Sequence, residues 1–125
     1  MRHLIILSYF NELQVWKKSV DFVVQIYERT EKFPKDVTFG LRLQIRRAAV
    51  SISNNLAEGQ GRASSQDYRR FVVLARGSAF EVQTQIIICR RLRYLDDATA
   101  DGLQASIDEI ARMLNGLLAY LTPSA

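Results

Sequence analysis

Apolar residues recur along this chain in steps of three and four, the spacing that lines one face of an α-helix. Trp16, Val20, Val23 and Tyr27 make one stripe, with Val15, Phe22 and Ile26 forming a second beside it. Together they predict a first helix from near Asn11 to about Lys32, ended by Phe33-Pro34, because a residue before proline is pushed out of the helical region. A helix apolar over so wide an arc has more surface than one neighbour covers, which points to a subunit contact. Leu41, Ile45, Ala48, Ala49, Ile52 and Leu56 predict a second helix from Val37 or Thr38 to Glu58, with Gly59 as its left-handed cap. Tyr68, Phe71, Val72, Ala75, Ala79, Val82, Ile86 and Cys89 predict a third, from Ser65 to Tyr94 and capped by Ser64 or Ser65. At 1.5 Å per residue it would be about 45 Å long. Leu103, Ile107, Ile110, Leu114, Leu117 and Leu121 alternate steps of four and three, a bundle seam in a fourth helix capped by Thr99 and stopped at Thr122-Pro123.

Four helices joined by short connections predict an all-α fold, an antiparallel up-down-up-down four-helix bundle. The expected domain covers 11–122, with residues 1–10 as an N-terminal arm and 123–125 as a tail. The apolar run Leu4-Ile5-Ile6-Leu7 ends at Ser8 and is too short for a secretion signal or a membrane span. The arm therefore reads as a short extended segment suited to self-association, and no membrane partner is expected. With one cysteine, Cys89, the chain cannot form an internal disulfide, so a reduced, cytoplasmic setting is expected.

Catalytic chemistry is scarce. The sole histidine, His3, lies in the arm, so no Ser-His-Asp or Cys-His arrangement can be built on a rigid element. One Cys and one His cannot hold a structural zinc, and a di-iron bundle needs Glu-x-x-His pairs that the chain lacks. Gly59-Gln60-Gly61 follows a helix instead of a strand and is not a phosphate loop. No enzyme, cofactor or metal is expected. A carboxylate pair of Glu58 and Glu81 is the weakest remaining catalytic idea.

Charge is uneven. Residues 37–93 carry a net +7, all from arginine, whereas residues 94–125 carry −4. Arginine suits two-pronged contacts with phosphate or carboxylate. Arg42, Arg46, Arg47, Arg62, Arg69 and Arg76 are accordingly the candidate nucleic-acid contacts, to be set against solvated faces or pairing with the acidic fourth helix. Tyr68 and Tyr94 are the aromatic candidates beside them. A small-polar stripe, Gln44, Ser51, Asn55 and Glu58, runs along the second helix, matched by Ser78, Glu81 and Gln85 on the third. These predict a polar seam inside the bundle or at a subunit contact, with a ligand pocket as the alternative.

Several segments carry a family resemblance: Leu13-Gln14-Val15-Trp16, Phe33-Pro34, Gln44-Ile45-Arg46-Arg47-Ala48, the run from Ser51 to Gly59, and Ala75-Arg76-Gly77-Ser78-Ala79-Phe80-Glu81. In this order they resemble the S23-like four-helix bundles encoded in intervening sequences of bacterial 23S ribosomal RNA genes. The chain departs at Ser53, where proline is common, and at Leu56, where isoleucine is. The resemblance implies a homopentamer around a central opening and carries over no catalytic residue. A related branch, the accessory variability proteins of diversity-generating retroelements, pairs with a reverse transcriptase and binds nucleic acid. The expectation is thus a non-catalytic homo-oligomeric binding module. Its expected partners are its own copies together with RNA or DNA, the alternative being a protein-interaction scaffold without nucleic-acid affinity.

Overall fold

The computed structural model describes residues 2–34 and 38–121, with side chains over 14–34 and 40–121. Four helices account for most of it: α1 (Arg2–Arg29), α2 (Leu43–Gln60), α3 (Ser65–Arg91) and α4 (Asp97–Tyr120). A wide single turn, Thr38–Arg42, kinked at Gly40 (φ −98°, ψ −119°), leads into α2. The expected start at Val37 and the stop at Thr122-Pro123 lie outside the described residues, as does the tail.

Side-chain pairs set the directions. Ser78 meets Ser51, while Tyr68 and Phe71 lie against Gly59, so α2 and α3 run antiparallel. Arg76 reaches Asn115, Gln83 reaches Asp108 and Arg90 reaches Asp101, so α3 and α4 do too. Lys18 pairs with Glu109, and Arg29 shares a groove with Ala98 and Thr99, which turns α1 against α4. The result is up-down-up-down, with α1 and α3 each packed on α2 and α4 and standing on opposite corners.

The seams of α2, α3 and α4 are buried as expected, from Ile45 to Leu56, Tyr68 to Cys89 and Leu103 to Leu121. In α1 the two stripes differ in burial. Val15, Phe22 and Ile26 are in the core, whereas Trp16 and Val23 pack only partly against it and Tyr27 is exposed. The core stripe also contains Ser19 and Thr30, both fully buried. Their hydroxyls donate to the carbonyls of Trp16 and Ile26, each at 2.7 Å, so neither leaves an unmet polar group. The first helix also begins at Arg2, not near Asn11, so the expected extended arm is helical.

Three expected caps differ. α2 runs past Gly59 to Gln60, and no described glycine has positive φ. Gly59 is needed for contact instead: a Cβ there would lie 2.6 Å from Tyr68 Cδ1 and 2.9 Å from Phe71 Cβ. Asp96, not Thr99, caps α4, its carboxylate accepting from the Thr99 backbone N–H at 2.7 Å. That bond, together with the Thr99 side chain, holds the Asp96 carboxyl below its ordinary range. α3 stops at Arg91, short of Tyr94, where Arg93 takes a left-handed conformation (φ 65°). There the Tyr94 N–H bonds the Cys89 carbonyl and the Arg93 N–H bonds that of Arg90, the pair that closes a helix with a left-handed residue. Ser64 caps α3 as expected, accepting from the Asp67 N–H at 3.1 Å.

Candidate interaction surface

The six candidate arginines do not form one patch. Arg46 leans across to the end of α1, where its Nε donates to Thr30 Oγ1 at 2.9 Å and a terminal nitrogen donates to the Tyr27 carbonyl at 3.1 Å. Its guanidinium lies over the Tyr27 ring at 4.3 Å and within 3.7 Å of Glu31. At 15% exposure, this side chain is a cap on α1 and offers little to a ligand. Arg62 closes the α2–α3 connection, bonding Glu58 at 2.9 Å and lying over Phe71. Arg76 crosses to Asn115 on α4. Arg69 is half-buried, and its Nε has no hydrogen-bond partner. Arg42 is half-buried and Arg47 exposed; neither has an ion pair among the described residues. Outside the candidate set, Arg70 pairs with Asp67 and Arg90 with Asp97 and Asp101. The acidic fourth helix thus neutralises only one end of α3.

The polar seam divides. Ser78 donates to Ser51 Oγ at 2.9 Å, and Asn55 donates to the Ser51 carbonyl at 2.9 Å and to its hydroxyl at 3.0 Å, a small network between α2 and α3. Gln44, Glu58 and Glu81 point outward and are exposed. Glu58 is bound to Arg62, and no geometry pairs it with Glu81. Gln85 is only 6% exposed, yet its Oε1 has no hydrogen-bond partner. It borders an open groove between α2 and α3 whose other walls include Gln44, Arg47, Gly77, Phe80, Glu81 and Ile88.

Tyr68 is buried and Tyr94 half-buried against Phe33, so neither expected aromatic is a free platform. Phe80, not among the candidates, is 48% exposed. It belongs to a set of large apolar side chains on the outer side of α3: Leu74, Phe80, Ile87, Ile88 and Leu92. By length and composition α3 is apolar enough to cross a membrane, with only 39% of its most apolar stretch buried in the bundle. The signal was present in the sequence: α3 has apolar residues left over once its core stripe is assigned.

Cys89 lies in the core, where burial pushes its thiol up to about 11, so it stays protonated and unreactive. Among the described residues, no group of three or more His, Cys, Asp and Glu side chains converges as metal ligands would.

The model of the 23S rRNA-intervening sequence protein family matches residues 11–116. The chain belongs to this family. Its fold is similar to that of a crystal structure from Bacteroides thetaiotaomicron VPI-5482, a protein of unknown function from the S23 ribosomal protein family. The TM-score is 0.81 at 22% identity, over 87% of this chain and 98% of that one. No curated protein matches the chain. The match over residues 11–116 confirms the family expected from the sequence.

Proposed function

We propose that this family member is a non-catalytic homo-oligomeric scaffold working in the cytoplasm, with α3 supplying a contact between copies. The observation that carries this reading is the set of Leu74, Phe80, Ile87 and Ile88 exposed on α3, with Leu92 exposed at its C-terminal cap. Large apolar side chains left exposed together on one helix support an interaction site where they share a surface. The arginine geometry favours a scaffold over a nucleic-acid module, because Arg46, Arg62 and Arg76 are already engaged within the chain. The family resemblance suggests five copies.

Light scattering after size exclusion tests this. The expected particle is a multiple of 14.3 kDa, five-fold if the family pattern holds. Ile87→Glu with Ile88→Glu should leave a folded monomer, since both side chains are exposed. A wild-type chain that stays monomeric at high micromolar concentration would overturn the proposal.

A nucleic-acid role is the second reading, supported by the net +7 of residues 37–93 and by Arg47, which is exposed and free of ion pairs among the described residues. Fluorescence anisotropy with structured RNA, single-stranded DNA and duplex DNA separates the two. Binding that weakens steeply with salt supports it, and absence of binding to all three at low salt removes it.

A further inference from the structure

We infer that Asn115-Gly116 in α4 is a self-modifying site, gated by opening of the end of that helix, which converts a hydrogen bond between α3 and α4 into an ion pair. Asn115 is the one asparagine of the chain that glycine follows, and such a pair carries both reactants of an intramolecular acyl transfer. The Gly116 backbone nitrogen attacks Asn115 Cγ and closes a cyclic imide. A bond forms between that nitrogen and Cγ, the bond from Cγ to the side-chain nitrogen breaks, and the Gly116 proton leaves with the side-chain nitrogen as ammonia. Water then opens the ring at one of its two carbonyls, giving aspartate or isoaspartate. Neither step needs an oxidant, a cofactor or a second protein. Glycine favours the closure because no side chain crowds its nitrogen and its backbone turns freely.

The surroundings leave the pair open, and the helix holds it back. Both residues are exposed, and nothing lies within 4 Å of where a Gly116 Cβ would be, so water reaches them. Because α4 runs to Tyr120, the Gly116 N–H lies inside the helical ladder and is directed along the axis, not at Cγ. Leu114, Leu117, Leu118 and Leu121 are buried on both sides of the pair and hold this stretch on the core. Ring closure therefore waits until the last turns of α4 open, a local event that costs less than unfolding the whole chain.

The two products re-enter the fold differently. Arg76 on α3 donates from Nη1 to Asn115 Oδ1 at 3.1 Å. Aspartate has the shape of asparagine and places a carboxylate oxygen where that donor already points, so the bond becomes charged on both sides. Arg112, exposed and three residues earlier on α4, adds a second positive charge nearby. Asn115 also precedes the last turn of α4, so a carboxylate there meets little of the helix's negative pole. Isoaspartate instead adds a methylene to the main chain and shifts every following N–H and C=O out of register with the ladder. One product closes α4 again with a stronger tie to α3, and the other keeps its end open.

Two measurements on the full chain test this. Wild type is incubated at mildly alkaline pH, folded and in urea, and the peptides containing Asn54 and Asn115 are followed by mass spectrometry, with an isoaspartate methyltransferase marking the isomerised product. In urea Asn115 should lose ammonia many-fold faster than Asn54, and in the folded chain many-fold more slowly than in urea. Loss no faster than from Asn54, or equally fast folded and unfolded, overturns the inference. In the second measurement, Asn115→Asp should melt about 1–4 °C above wild type, the scale of a pairing between exposed groups, and the gain should vanish in an Arg76→Gln background. No gain, or a gain that survives Arg76→Gln, overturns the ion pair.

Discussion

Gly59 is buried where α2 crosses α3, and the space for a methyl group is already taken by Tyr68 and Phe71. Gly59→Ala gains helix propensity of about 1 kcal/mol but forces two aromatic side chains apart, and overpacking of this kind costs roughly 1–3 kcal/mol. Urea denaturation should therefore show a lower midpoint. Gly59→Asn separates this account from a left-handed cap: Asn suits a cap but should destabilise a tight crossing more than Ala does. Arg46 is the other residue whose role differs from its sequence expectation. It satisfies the Thr30 hydroxyl and the Tyr27 carbonyl at the end of α1. Hydrogen bonds from a charged donor are worth about 1.5–3 kcal/mol. Arg46→Ala should lose stability on that order in the same measurement. If nucleic acid is bound at all, Arg46→Lys should not change its affinity.

At the scale of elements, helix ends were the least legible feature. Whole helices announce themselves through many residues at once, and the seam of α4 is nearly continuous leucine and isoleucine. A cap depends on one or two local hydrogen bonds. Asp96 and Thr99 are both good caps by type, and only geometry shows that the Asp96 carboxylate receives the Thr99 N–H. Which α1 stripe is core was hard to read for a related reason: the buried one is interrupted by Ser19 and Thr30, whose hydroxyls are hidden by bonds to backbone carbonyls three and four residues earlier. Polar residue types thus disguised a core face, and the more uniformly apolar stripe beside it was left partly outside. The end of α3 gives a prediction of its own. Arg93 occupies a left-handed position that glycine adopts without steric penalty. For an L-residue that conformation costs roughly 1–2 kcal/mol, part of which is offset by the greater unfolded-state freedom of glycine. The ion pair from Arg93 to Asp97, at 4.0 Å between exposed groups, adds little. Arg93→Gly should accordingly raise stability by about 0.5–1 kcal/mol, seen as a higher melting temperature at unchanged helix content. A lower melting temperature would mean that the Arg93 side chain holds the turn through contacts stronger than that ion pair.

For the whole molecule, the net charge of a segment was readable from composition, but its availability was not. Some basic side chains between residues 37 and 93 are engaged by partners that sequence distance hides: Arg46 meets Thr30 sixteen residues away and Arg76 meets Asn115 thirty-nine away. Conversely, the apolar excess on α3 was visible residue by residue, yet its meaning required knowing which side of the helix faces out. If that face binds other copies, assembly and folding are linked, because the native state alone makes the contact and mass action then stabilises it. The melting temperature of the wild type should rise with protein concentration across a hundred-fold range. Ile87→Glu with Ile88→Glu should melt at one temperature throughout, below the wild type at high concentration and near it at the lowest. Scanning calorimetry at several concentrations measures this directly. A concentration-independent wild type would place the exposed apolar row outside any self-contact in that range. A variant that melts lower even at the highest dilution would instead assign Ile87 and Ile88 a part in holding the single bundle together.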